Sequence, residues 1–318
     1  MWGDYGKAAE LIMNISKSLD YIRDIKNKNM ASFVYKICKV IANIEAPYAA
    51  CKGMGINEES KVIISLTSFP KRIDTVYLTI KTLLNQTVKP QKVVLWLAKN
   101  QFINGDLSLP SKLLELKTNG LTIEYCDDLG PHKKYYYAMR RYPDNWILTV
   151  DDDILYPSTL LEELINCAES NPQCICCTWG HEITFDSNGN VNPYKEWYKG
   201  TSGLTMPSYR LIPVGCGGVL YPPHFLSKEV FNSDAINKLC PKTDDLWLKA
   251  MALKNGVPAV RINKPPLIFY SIIKTQKGGL YFENTEKQKN DISLSNILKQ
   301  YPEITNALKE EFDKTKTR

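Results

Sequence analysis

Between residues 61 and 168 a short apolar run is followed by a helix-periodic segment four times over, with short connections throughout. The first run, Val62-Ile63-Ile64-Ser65-Leu66, has no polar alternation, which marks a strand buried on both faces. Further strands are predicted over 92–97, 121–125 and 146–150, and helices over 73–86, 110–117, 130–142 and 157–168. Pro131 suits the first turn of its helix. Strand and helix in strict alternation predict an α/β fold, a mostly parallel sheet with helices on both faces. Ligands of such sheets sit beyond the carboxyl ends of the strands. Thr67-Ser68, Asp127-Asp128 and Asp151-Asp152-Asp153 all fall at those ends.

The flanks differ. Residues 5–44 carry apolar residues at three-four spacing, first through Ile12, Ile15, Leu19 and Ile22, then through Met30, Phe33, Ile37 and Val40. Residues 27–29 divide this into two helices, and Pro47 with Gly53 and Gly55 closes it. Such helices pack on their own domain, on a membrane or on another subunit as a homo-oligomer contact. Beyond Ile175 the pattern loosens: residues 185–190 signal a hairpin, residues 194–213 are aromatic and loop-rich, and Gly215-Cys216-Gly217-Gly218 precedes Val219-Leu220-Tyr221. A helix is expected over 244–255, and two more over 288–312, separated by Pro302. The expected organisation is a helical extension over 1–57, a catalytic domain over 58–270 and a second helical extension over 271–318.

Composition excludes several classes. With 44% hydrophobic and 23% charged residues in 318, the chain is globular rather than disordered or low-complexity. The net charge of +6 gathers at the ends, +3 in residues 1–57 and +2 in residues 271–318. The nearly neutral centre lacks the basic face of a nucleic-acid-binding protein, whereas basic ends suit peripheral contact with anionic lipid. No apolar run is as long as a membrane span, and Asp4, Lys7 and Glu10 precede the first apolar stretch, unlike a signal peptide. Nine scattered cysteines predict reduced thiols and a cytoplasmic protein. Cys174 and Cys177 have metal-like spacing, but no second pair completes a zinc site, and Cys174-Ile175-Cys176-Cys177 reads as a core strand.

Three consecutive aspartates at a strand end repel one another unless a partner neutralises them. A hard divalent cation, Mg²⁺ or Mn²⁺, suits oxygen ligands of this kind; a solvated acidic turn or helix cap is the plainer alternative. Phosphatases of the haloacid type need Thr at the fifth position, where this chain has Leu155. A nucleotide-sugar transferase needs a metal on the leaving diphosphate and a base at the acceptor.

The segments Val62 to Ile73, with Leu83-Leu84-Asn85-Gln86-Thr87 and Pro90, resemble the opening of bacterial GT-A-fold glycosyltransferases related to glycosyltransferase family two, which often serve capsule or lipopolysaccharide assembly. Asp127-Asp128-Leu129-Gly130-Pro131-His132-Lys133-Lys134, the stretch around Asp151-Asp152-Asp153, Gly215 to Pro223, and Cys240-Pro241-Lys242-Thr243-Asp244-Asp245-Leu246-Trp247 are similar to further segments of that family. The resemblance spans about residues 60–270. It implies a GT-A catalytic domain, a nucleotide-sugar donor and a glycan or lipid-linked acceptor. It assigns Asp151 and Asp153 to the metal, with Asp152 between them, and Thr67, Ser68 and Arg72 to the nucleotide side. Asp127 and Asp128 join the same side. Asp244-Asp245 matches the family's acidic pair, usually Glu-Asp, whose second member is the base; Asp245 is thus the candidate, with Asp244 orienting or capping.

The residues themselves add two readings. Lys133 and Lys134 open a helix, where free N–H groups and cations favour a diphosphate, or point into solvent. The glycine-rich 215–218 loop permits close backbone approach to a ligand, or makes a structural turn. Trp179, Tyr194, Trp197, Tyr198 and Tyr209 stack on sugar rings or pack, and His181 and His224 read as structural. Two rival functions stand beside the transferase: a non-catalytic nucleotide- or glycan-binding relative, and a metal-dependent nucleotidyl- or phosphotransferase. The last lacks a glycine-rich phosphate loop after the first strand, and Asp244-Asp245 argues against the first.

Overall fold

In a computed structural model, which describes residues 28–47, 53–200, 204, 206–262, 267, 269–275 and 289–316, the chain begins with helix α1 (Lys28–Glu45). It continues as β1 (Val62–Thr67), α2 (Val76–Leu84), β2 (Lys92–Ala98), β3 (Leu121–Cys126), α3 (Lys133–Arg141), β4 (Trp146–Thr149), β5 (Ile154–Leu155), α4 (Leu160–Ser170) and β6 (Ile175–Cys177). Then come β7 (Gly180–Glu182), β8 (Leu211–Pro213), β9 (Val219–Tyr221), α5 (Ser233–Leu239), α6 (Asp244–Lys254), β10 (Ala259–Arg261), β11 (Tyr270–Ser271), α7 (Lys289–Gln300) and α8 (Pro302–Lys316).

Seven strands form one sheet in the order β10-β6-β9-β4-β1-β2-β3. Six run parallel; β9 alone runs antiparallel, paired with β4 on one side and β6 on the other. Strand periodicity explains the two covered faces. Val62, Ile64 and Leu66 of β1 pack with Val76, Ile80 and Leu83 of α2 and with Leu160 and Leu164 of α4. Ile63 turns the other way and joins Val94, Ile147 and Ala138 of α3. The α/β fold and the mostly parallel sheet expected from the sequence are what the chain adopts.

Three expected helix starts shift; the helix expected from 73 begins at Val76. Before α3, Gly130 takes φ +58°, and a single 3-10 turn, Gly130–His132, precedes the α-helix. Its missing Cβ also lets Pro241 O approach: an added methyl there would meet that oxygen at 3.3 Å. The helix expected from 157 begins at Leu160, because the Pro157 carbonyl is taken by the Leu160 amide at 3.2 Å and by Gln86 Nε2 at 2.9 Å.

The flanking helices rest on this body. α1 lies on the small β5–β11 ladder, where Ala42 and Ala46 pack with Leu78, Leu155 and Ile272. The expected helix over residues 5–27 lies outside the described residues. α7 and α8, divided at Pro302 as expected, cover α6 through Ile297, Tyr301, Ile304 and Leu308. The hairpin signalled at 185–190 closes on a bridge between Phe185 and Val191. The eight cysteines among the described residues are unpaired thiols, and Cys174, Cys176 and Cys177 are core. No helix among the described residues is long and apolar enough to cross a membrane.

Candidate active site

β4 occupies the middle of the sheet, so the chain leaving it delivers Asp151, Asp152 and Asp153 to the centre of the carboxyl edge. The three carboxylates diverge. Asp152 turns inward, 5% exposed, and accepts from Ser68 Oγ and Arg72 Nη1, each at 2.6 Å. Asp153 meets Arg72 Nη2 at 3.1 Å. One guanidinium thus ties the loop after β1 to the loop after β4, as a planar fork can. Asp151 pairs instead with Lys134 of α3, and its charge is felt both at Asp153 and at Asp245 of α6.

The first turn of α3 supplies the counter-charge. Lys134, buried at its side chain, places Nζ 2.8 Å from Asp151 Oδ1 and 2.9 Å from Asp244 Oδ2, the latter as a charge contact rather than an aligned hydrogen bond. Burial alone would strip the lysine's proton; Asp151 and Asp244 together hold its pKa well above the ordinary range. His132 fixes this turn against the approach to α6. Its Nε2 donates to Cys240 O at 2.7 Å, and its Nδ1 accepts from Tyr135 OH at 2.9 Å. Burial lowers its pKa to about 4, so it stays neutral and keeps that tautomer.

Asp244 and Asp245 occupy the first turn of α6, where successive side chains point about 100° apart. They separate accordingly. Asp244 goes to Lys134, and despite the cost of burial the lysine keeps its pKa low. Asp245 accepts from the Gly215 amide, with its two oxygens 3.1 and 3.2 Å away. Burial, then the charges of Asp244 and Asp151, raise its pKa to about 8 against the pull of Lys134. Gly215 is the meeting point. A Cβ built there would lie 2.9 Å from Lys134 Nζ, 3.0 Å from Asp245 Oδ1 and 3.4 Å from Asp151 Oδ1. Gly215→Ala should therefore displace this charged cluster. We expect at least a tenfold loss of the activity proposed below with little change in melting temperature, read by steady-state kinetics and thermal denaturation.

The charge balance defines what the site accepts. Asp151, Asp152, Asp153, Asp244 and Asp245 face two cations, the partly buried Arg72 and the buried Lys134. The surplus appears in Asp153, raised to about 6 by burial and by Asp151 against Arg72, and again in Asp245. This is the electrostatic condition a divalent cation relieves. Among the described residues no three His, Cys, Asp or Glu side chains converge as a complete metal cage. Mg²⁺ and Mn²⁺ sites built from one or two carboxylates plus substrate phosphates need no such cage.

Other predicted residues lie apart. Thr67 donates to Trp96 O at 2.8 Å on the neighbouring strand. Asp127 is solvent-exposed 3.8 Å from Lys99, and Asp128 accepts from Lys133 at 2.6 Å, Gln101 at 2.7 Å and the Gly130 amide at 2.9 Å. Both follow β3, the edge strand, three positions from β4 and so roughly 14 Å across the sheet. Lys133 and Lys134 are both buried on carboxylates of the chain, rather than presented as free cations at an open helix start. The acids gather Lys134 into the cluster and hold Lys133 beside it. Trp197 is core, His181 accepts from the Gly200 amide at 3.1 Å, and His224 is exposed at φ +65°.

Sequence reasoning missed the hub role of Lys134 and the part of Tyr156. The Tyr156 hydroxyl accepts from the Asp151 amide at 2.9 Å and donates to Cys216 O at 3.1 Å, joining the aspartate loop to the glycine loop. An aromatic seven residues past the end of β4 carries no signal for this. The lysine had one: a Gly-Pro turn followed by two cations, next to acids that needed partners.

No protein family and no curated protein matches the sequence. Among solved structures, the mannosyltransferase PcManGT from Pyrobaculum calidifontis, in complex with GDP-Man and Mn²⁺, is similar at 12% identity and a TM-score of 0.47, over 87% of this chain and 80% of that one. GalNAc-T7 with UDP, GalNAc and Mn²⁺ is similar at 9% identity and a TM-score of 0.43, over 75% of this chain and 48% of that one.

Proposed function

We propose that the chain is a metal-dependent glycosyltransferase of GT-A type. It moves a sugar from a nucleoside diphosphate donor to a hydroxyl of a glycan or lipid-linked glycan, with inversion, in bacterial surface polysaccharide synthesis. The observation that carries this reading is the meeting of Asp151, Lys134, Asp244 and Asp245 at Gly215, which sets a basic carboxylate beside the aspartate loop at the sheet's carboxyl edge.

In this reading Asp151 and Asp153 hold Mn²⁺ or Mg²⁺, which when bound neutralises the diphosphate leaving group. Arg72 fixes the carboxylates of Asp152 and Asp153, and Ser68 shares Asp152. Ser68 and Arg72 line the nucleotide side; Lys133 and Lys134 are engaged by the chain's own carboxylates, and Thr67, Asp127 and Asp128 stand apart from the cluster. The acceptor O–H attacks the anomeric carbon as the bond from that carbon to the diphosphate oxygen breaks. The proton passes to Asp245, whose raised pKa suits it to receive one. Asp244 remains on Lys134 and keeps the base oriented.

Calorimetry of a nucleoside diphosphate with and without Mn²⁺ tests the metal. Binding is expected to strengthen at least tenfold with Mn²⁺, and Asp153→Ala to abolish that gain. Equal affinity in both conditions would sink the metal role. Slow hydrolysis of one nucleotide sugar from a panel, without acceptor, would identify the donor.

A further inference from the structure

α1 is apolar on two opposite faces. Its inner face rests on β5 and β11: Ala42 packs there, Tyr35 OH donates to Phe269 O at 2.9 Å, and Asn43 Nδ2 donates to Ser271 O at 3.2 Å. Its outer face carries Phe33, Ile37, Val40 and Ile44 at four-three-four spacing, 60%, 43%, 47% and 62% exposed. Ile273, 45% exposed, lies beside α1, its amide donating to Asn43 Oδ1 at 2.9 Å. An apolar stripe on the outer side of a helix whose inner side is already packed calls for a second apolar environment. Four such side chains on a helix about 27 Å long, with Ile273 beside it, make a narrow stripe rather than the ~800 Å² per partner that a stable dimer covers.

The charges select the occupant. Lys36 and Lys274 are exposed at the stripe and Lys39 is partly so, against the single acid Glu45 on α1. Apolar side chains flanked by lysines form the pattern of a helix lying in the interface of an anionic bilayer. We propose that the outer stripe of α1, with Ile273 and Lys274, is such a membrane-seating face.

Its position gives the seat a purpose. β11 pairs with β5, the two-residue strand that follows Asp153, and the Ile272 amide donates to Asp153 O at 2.8 Å. The surface that meets lipid is therefore one ladder removed from the aspartate loop. Resting on the transferase reading above, this favours an acceptor carried by a lipid over a soluble glycan.

Sedimentation of the full chain with phosphatidylcholine vesicles, with and without phosphatidylglycerol, tests the proposal. Binding is expected on the anionic vesicles and to weaken as salt rises. Lys36→Gln and Lys274→Gln should each lower the partition coefficient about fivefold, as the loss of one basic side chain near such a surface does. Ile37→Asn with Ile44→Asn should lower it at least tenfold. Absence of binding at low salt, or binding that none of these changes alters, overturns the proposal. So does a concentration-dependent dimer that the double isoleucine variant disperses, which would give the stripe to a second copy of the chain. Donor hydrolysis in solution should be unchanged in all the variants. Vesicle binding decides the seat whether or not the wild-type chain hydrolyses a nucleotide sugar.

Discussion

Asp245→Asn is expected to keep Mn²⁺-dependent nucleotide binding and to lose transfer by about 10²-fold or more, the usual consequence of removing a general base. Asparagine preserves the shape of the side chain, and its amide oxygen still accepts from Gly215, so the cluster should stay in place. The same variant has a signature in stability. The folded-state pKa of Asp245, about 8, lies above the ordinary aspartate value near 3.9. Protonated Asp245 therefore favours the fold, an advantage complete below pH ~4 and lost as pH rises to about 8. Asparagine cannot ionise. The melting temperature of metal-free Asp245→Asn should thus gain on that of the wild type across this window. A kinetic loss without this pH-dependent gain would mean that Asp245 is not the buried, charge-crowded acid described above. Near-total loss in Asp244→Asn with retained turnover in Asp245→Asn would exchange their roles.

Lys134→Met should be the most destabilising single change at the site. The lysine is enclosed between Asp151 and Asp244, and methionine fills similar volume without charge. Removing one partner of a buried ion pair leaves the other uncompensated, which costs about 3 to 5 kcal/mol. Asp151, a third exposed, recovers part of that loss through water; Asp244, 11% exposed at its side chain, recovers little. For a chain of this size we expect a fall in melting temperature on the order of 10 °C. Adding Asp244→Asn should restore part of it, because the orphaned charge is then gone. A double variant no more stable than Lys134→Met would place the lysine's contribution in packing rather than in charge.

The central part of the fold was legible in the sequence because unbroken apolar strands and short connections permit few arrangements, and the positions of Asp151 to Asp153 followed from strand ends. What connects the site was not legible. Lys134 reaches Asp244 across 110 positions of sequence, a contact set by the crossing of α3 and α6 rather than by any local pattern. Similarly, Gly215 read equally well as a turn, until β9 was seen to run antiparallel. A strand in that direction brings its preceding loop, not its following one, to the edge where Asp245 waits. The short β5–β11 ladder under α1 joins segments more than a hundred residues apart and left no periodic trace.

The place of β9 has a consequence for the order in which the molecule assembles. Residues 62–149 can pair β1, β2, β3 and β4 among themselves, and β6 can pair with β10, but within the sheet these two groups are joined only through β9. Such a closing step joins elements distant in sequence and is slow for that reason. Until β9 enters, the Gly215 loop is not anchored, and Asp245 lacks the amide that holds it. On the transferase reading, recovery of activity during refolding should therefore lag behind recovery of the strands of the first group.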